Sequence, residues 1–136
     1  MDSISSLLGL ALRAGRLAVG EEPVGAACRA HKAYLVLLAH DAADNTIRRA
    51  HHFCQVGTNA ICLTLPLTKE ALGSCLGRSS CAILAVSDIG FAAAVADKLA
   101  GIDPDTYGAV REQLSRKADR TKKRRDEKRA RNKNGR

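Results

Sequence analysis

The densest chemistry in this chain is a basic run from Arg116 to Lys133, in which Lys122, Lys123, Arg124 and Arg125 follow one another. Guanidinium and ammonium groups at this density bind polyanions by releasing counterions, and such segments often fold only on binding. A second candidate is His51, His52 and Cys54. His51 and Cys54 stand three apart and share a helix face, but zinc normally takes four ligands in regularly spaced pairs, and no second pair accompanies them. A partly buried helix face is the plainer reading. A third is His40-Asp41 directly after an apolar run, where α/β enzymes often keep catalytic groups. No nucleophile is tied to it, so a strand-to-helix turn with an Asx-type bond is the expectation. The chain has no G-x-G-x-x-G, P-loop or G-x-S-x-G pattern. No catalytic role and no cofactor are therefore expected.

The charge is divided unevenly along the 136 residues. The net charge is +8, yet residues 111–136 hold thirteen Lys/Arg against four Asp/Glu, while residues 1–110 hold nine against ten. The body is near neutral and the tail holds the surplus, which points to a polyanionic partner such as nucleic acid. A solvated terminus that only aids solubility is the alternative. Apolar residues make up 46% but aromatics only 3%, so the core must be aliphatic and few platforms exist for stacking bases. The five cysteines form no C-x-x-C pair and mostly sit in apolar stretches, as reduced intracellular cysteines do. No stretch reaches the roughly 20 apolar residues of a membrane span, and no basic residue precedes the first apolar run as in a signal peptide. A cytoplasmic monomer with no membrane contact is the expectation.

Alternating helix and strand patterns must position these groups. Ile4, Leu7, Leu8 and Ala11 repeat as one helical stripe, with Gly15 placed to end it. Leu17 to Val19 reads as a short strand. Gly20, Glu21, Glu22 and Pro23 then start a helix, with acids and a proline where a first turn accepts them. Val24, Ala27 and Cys28 continue it. Tyr34 to Ala39 reads as a buried strand. Asp41 to Asp44 reads as a turn and cap before a helix carrying Ile47, Ala50 and Cys54. Ala60 to Leu65 is a second apolar run, stopped by Pro66. Thr68 caps a short helix with Leu72, Cys75 and Leu76, and Gly77 stops it. Cys81 to Val86 is a third run. Ser87 or Asp88 then caps a helix with Phe91, Val95 and Leu99. After the turn Asp103-Pro104-Asp105, Tyr107, Val110 and Leu114 make one more short stripe. Beyond Leu114 only Ala118 and Ala130 are apolar, so that segment reads as disordered or as a helix formed against a partner. The pattern predicts an α/β fold: a three-layer α/β/α sandwich with a four-stranded mixed sheet and a basic C-terminal extension. Residues 1–102 would form the domain and 103–136 the extension.

Five stretches in this order carry a resemblance. They are Leu8-Gly-Leu-Ala-Leu-Arg-Ala-Gly-Arg-Leu17, Val19-Gly-Glu-Glu22, Ala33-Tyr-Leu-Val-Leu-Leu-Ala-His-Asp-Ala42, Thr68-Lys-Glu-Ala-Leu-Gly73 and Ala82-Ile-Leu-Ala-Val86. Together they resemble the kink-turn RNA-binding superfamily of archaeal ribosomal protein seven-Ae and eukaryotic ribosomal protein thirty-e, and most of all its small bacterial members. The likeness covers about residues 3–100 and leaves the basic tail outside.

The resemblance implies a site. In the family, the start of the second helix reads tandem sheared G·A pairs in a kinked RNA, and the loop after the fourth helix covers a flipped-out nucleotide. Carried over, these are Gly20, Glu21 and Glu22, then Lys69 with Gly77, Arg78, Ser79 and Ser80. The residue types suit the task. Gly20 lets backbone approach closely, a helix N-terminus offers N–H groups to phosphate, and a carboxylate accepts two N–H bonds from a guanine edge. Arg13, Arg16, Lys69 and Arg78 would hold flanking phosphates. Many family members carry Asn-Glu at positions 22 and 23 and Lys at 26, where this chain has Glu22, Pro23 and Ala26. The expected partner is structured RNA, ribosomal RNA and the ribosome included. The alternative is a protein-interaction module tethered to a ribosome or another polyanion by its tail.

Overall fold

The computed structural model describes residues 3–57 and 60–134. Helix α1 (Ser3–Arg13) is followed by β1 (Leu17–Val19), α2 (Glu21–Arg29), β2 (Leu35–Leu38), α3 (Asp44–Gly57), β3 (Ile61–Thr64), α4 (Lys69–Cys75), β4 (Ile83–Val86), α5 (Ile89–Ile102) and α6 (Pro104–Asn134). The strands form one mixed sheet in the order β1-β4-β2-β3. β4 runs antiparallel to β1 and β2, and β2 runs parallel to β3.

Alternation along the central strands sends side chains to two cores. Leu35, Leu37, Leu84 and Val86 join Leu8, Val95, Leu99, Tyr107 and Leu114 on one face. Val36, Leu38, Ile83 and Ala85 join Val24, Cys28, Ala50 and Phe53 on the other. Helices α2 and α3 thus cover one face, and α1, α5 and α6 the other, giving the expected three layers. β2 and β4 are buried along their whole length, while the edge strand β3 is half-buried to exposed.

Turn chemistry ends and starts the helices as the residue types require. Gly15 (φ 72°) and Gly77 (φ 73°) take the left-handed conformation just past α1 and α4. In each case the next N–H, of Arg16 or Arg78, bonds back to the helix at Ala11 O or Gly73 O. α2 ends in the same way, but a histidine, His31 (φ 57°), occupies that position. Thr68 caps α4 through the Ala71 N–H, and Asp88 caps α5 through the Phe91 N–H.

Of the two forms expected for the C-terminal extension, disordered or helical, the structure has the helical one, and the stripe of Tyr107, Val110 and Leu114 lies within it. These residues open a continuous helix of 31 residues. Pro104 suits its first turn, and Asp103 accepts bonds from the Thr106 N–H and hydroxyl. Tyr107 and Leu114 are core residues, and Ala118 packs against the same core. The Tyr107 hydroxyl donates to Thr64 O at 2.6 Å, and burial pushes its pKa above the usual range. Ala118 extends the 107, 110/111, 114 spacing by one turn, so the buried face continues past Leu114. Beyond it, strong helix formers carry the helix onward.

Candidate nucleic-acid interface

The topology sorts the loops onto two edges of the sheet. β1, β2 and β3 end at one edge and β4 begins there. This upper edge therefore carries the starts of α2, α3 and α4 and the loop after α4. The lower edge carries the loops that feed β1, β2 and β3, and the start of α5.

The two elements expected to read RNA meet on the upper edge. Gly20 (φ 100°) donates its N–H to Ile83 O at 3.1 Å, joining the start of α2 to the strand that follows the α4 loop. That loop folds back along α4: Arg78 N–H reaches Gly73 O and Cys81 N–H reaches Lys69 O. The fold-back depends on Gly73. A Cβ there would stand 2.5 Å from Ser80 Cα, which no real contact allows. Asp41 also leaves its expected local bond. Its Oδ1 accepts the Lys69 N–H at 2.7 Å, fastening the β2–α3 loop to the start of α4, and His40 N–H donates to Leu67 O beside it.

Glu21 and Glu22 have separate roles in the fold. Glu21 is held by α3: Thr46 Oγ1 donates to its Oε1 at 3.2 Å and Arg49 Nε lies 3.4 Å from its Oε2. Arg49 in turn sits 5.4 Å from the centroid of Phe53. The Glu21 charge is therefore met within the protein. Glu22 is exposed and has no hydrogen bond or ion pair among the described residues. Glu21 and Glu22 line a cleft of about 390 Å³ between α2 and α3, with Gly25, Arg29 and Phe53.

Gly77, Arg78, Ser79 and Ser80 are exposed on this edge, and Lys69 is half-buried at its base. Of the two arginines grouped with them, Arg16 is placed elsewhere and Arg13 lies near the end of α4. Arg16 feeds β1 at the lower edge, where its carbonyl accepts the Ser87 N–H and hydroxyl. The Arg13 guanidinium lies back along α1 beside Gly9, whose own position abuts Cys75 O at the end of α4. Lys122, Lys123, Arg124 and Arg125 are exposed on α6, also away from the upper edge.

Charge divides the same way. At the upper edge stand Glu21, Glu22, Asp41, Asp44, Glu70, Asp103 and Asp105, against Arg48, Arg49, Lys69 and Arg78. Sequence reading missed Gly73, Asp41 and Arg49 as builders of this edge. Gly73 stands in a quoted motif, yet only the folded-back loop shows why a side chain is excluded. The Asp41–Lys69 bond spans 28 residues and leaves no local pattern.

The other candidates fall apart in space. His51 and His52 are exposed. Cys54 turns inward, and its hydrogen bond with Cys62, together with burial, pushes the Cys54 thiol up. All five cysteines are free, and no group of three or more His, Cys, Asp or Glu among the described residues is placed to hold a metal ion. No helix among the described residues is long and apolar enough to cross a membrane.

Known proteins are similar to this chain in sequence or fold. RNA-binding protein YlxQ of Bacillus subtilis (strain 168) is 36% identical over 90 residues, covering 63% of this chain and 84% of its own. The protein of the same name from Enterococcus faecium is 48% identical over 44 residues, covering 32% of this chain and 43% of its own. A solved structure described as a protein with unknown function from Bacillus halodurans C superimposes with a TM-score of 0.66 at 30% identity, over 72% of this chain and 97% of that one. The sequence pattern of one family matches residues 2–96, most of the ordered body. The chain belongs to the ribosomal protein L7Ae/L30e/S12e/Gadd45 family.

Proposed function

We propose that this is a non-catalytic, cytoplasmic, ribosome-associated RNA-binding protein that recognises structured, kink-turn-like RNA through the start of α2 and the loop after α4. The observation that carries this reading is the Gly20–Ile83 hydrogen bond, which ties the start of α2 to the first residue of the strand that leaves the α4 loop, on the same edge. Two relatives that carry the name RNA-binding protein support it. Glu22 is the carboxylate free to accept two N–H groups from a guanine edge, since Glu21 is occupied by Arg49 and Thr46. Lys69 and Arg78 supply phosphate contacts beside it, with Gly77, Ser79 and Ser80 as the wall over an extruded nucleotide. Lys122, Lys123, Arg124 and Arg125 on α6 add affinity for phosphate without reading sequence.

The test is a binding series with kink-turn and plain-duplex RNA at two salt concentrations. Glu22→Ala and Lys69→Ala should each weaken kink-turn binding by about tenfold, the worth of one charge-assisted bond, and leave the duplex unchanged. If the basic segment engages roughly six phosphates, log K for the duplex should fall with log salt at a slope of about −5 on the B-DNA scale. A truncation to residues 1–121, which keeps Leu114 and Ala118 in the core, should flatten that slope.

The surplus of acids at the upper edge favours a second reading. There the body is a protein-interaction module and only the basic helix tethers it to RNA. Unchanged kink-turn binding in both single variants would establish that alternative and sink the first.

A further inference from the structure

We infer that the lower edge of the sheet, together with the emerging half of α6, is a separate surface for the phosphate backbone of duplex RNA, so that the protein holds two RNA segments at opposite ends. This rests on the RNA-binding reading above and adds to it a second site facing the other way.

The course of α6 carries the inference. The helix begins at the upper edge, where the Tyr107 hydroxyl bonds Thr64 O at the end of β3. It ends its packing at the lower edge. There Lys117 Nζ lies 5.1 Å from the centroid of Tyr34, the residue that feeds β2, and Ala118 borders Ile89 and Gly90 at the start of α5. Residues 122–134 therefore project beyond the lower edge, by about 20 Å at 1.5 Å per residue. The upper edge lies a further strand length of about 13 Å behind them.

The body contributes to this surface. Lys117 and Arg120 line a cleft of about 630 Å³ with Tyr34, Gln55, Ile61 and Gln113. Lys32 and Arg16 stand exposed on neighbouring loops of the same edge, at the feet of β2 and β1. Lys117, Arg120, Arg124, Lys128 and Arg131 recur at helical spacing, so the cleft cations continue as one stripe along α6, flanked by Glu127. Asp119 and Asp126 lie on its other side, where they line a pocket at the start of α5 together with Lys122, Arg125 and Arg129. Counting the seven Lys/Arg between 122 and 131, this end holds eleven cations against Asp88, Asp119, Asp126 and Glu127. The upper edge has the opposite balance.

The chemistry selects nucleic acid over a bilayer or an apolar partner. Among the exposed residues 122–131 only Ala130 is apolar, so the helix has no face to insert between lipids or into a hydrophobic groove. A straight row of cations on an ordered helix instead matches a backbone of regularly spaced phosphates.

The experiment uses full-length protein with two differently labelled RNAs, a short kink-turn hairpin and a 20-base-pair duplex, read by resonance energy transfer and by gel shift. The expected result is a ternary complex with energy transfer between the labels. The triple variant Lys32→Glu, Lys117→Glu, Arg120→Glu should weaken duplex binding by at least about tenfold and change kink-turn binding by less than about twofold. Because Lys117 packs on Tyr34, the double variant Lys32→Gln, Arg120→Gln, confined to exposed side chains, supplies a milder form of the test. Its duplex salt slope should flatten by about two units. Competition between the RNAs for one site would overturn the proposal. So would full duplex binding by the triple variant, or tighter binding to phosphatidylserine vesicles than to duplex at equal phosphate. Failure of upper-edge recognition reads differently: the hairpin would then bind no better than the duplex, both through the lower surface, and the triple variant would abolish both.

Discussion

The two edges of the sheet are built by opposite means. The upper edge is assembled from backbone: Gly73 admits the close approach of Ser80, Gly20 and Gly77 take positive φ at their turns, and main-chain bonds fasten each loop to its neighbour. Its charged groups are few in sign-favourable number, and one acid, Glu21, is already neutralised within the protein. The lower edge is assembled from long cationic side chains on and around one helix. The first design fixes positions of individual groups, as recognition of a shaped partner requires. The second concentrates charge without fixing it, as affinity for any phosphate backbone requires. Under the proposed function, selectivity and adhesion would be separated within one small domain.

The sharpest way to break this contrast is to test whether α6 is truly anchored to the body. Leu114 is 2% exposed, in the same core as Leu99 and Leu35. Leu114→Ala should cost about 2–5 kcal/mol of stability in urea denaturation. If α6 were an appended tail, the loss would be near zero and the lower surface would have no fixed position.

That anchoring was the part of the fold least visible beforehand. The strands and α1 to α5 announce themselves because apolar periodicity and turn residues agree, as in Thr68 and Gly77 around α4. α6 outruns its apolar signal: its last packed residue is Ala118, too small to register, and the residues after it are helical by propensity alone. The candidate site divides similarly. Gly20, Glu22 and the Gly77–Ser80 loop were legible as local motifs. The pairing of Glu21 with Arg49, the Asp41–Lys69 bond and the placement of Arg16 on the opposite edge depend on how distant segments meet, and no local spacing records them.

The next test bears on the upper edge alone. Gly73→Ala would bring a methyl group onto the Ser80 backbone, which must move away. The expected cost is about 1–3 kcal/mol in stability, the range of overpacking. Because Ser80 leads to Cys81 and Ile83, the displaced loop should also perturb the amide signals of Gly20 in a nuclear magnetic resonance spectrum, while those of residues 122–131 stay in place. Shifts spread evenly over both edges would show that the two are not independent.

The smallest effect concerns the lower edge and has the opposite sign. His31 sits in the left-handed conformation at the end of α2, one residue before Lys32. A side chain there pays a steric penalty of about 1–2 kcal/mol that glycine avoids. Glycine also gains freedom in the unfolded chain, which returns part of the benefit. His31→Gly should therefore stabilise the protein by about 0.5–1 kcal/mol, read as a rise in Tm of about 2–4 °C. The helix end is already closed by main-chain bonds from His31 to Cys28 O and from Lys32 to Ala27 O, so glycine would keep the same turn. Duplex binding should then be unchanged, because Lys32 stays where it is. A loss of duplex affinity in a stabilised His31→Gly protein would instead mean that the imidazole itself contributes to the lower surface, and that the basic edge is more finely positioned than its long side chains suggest.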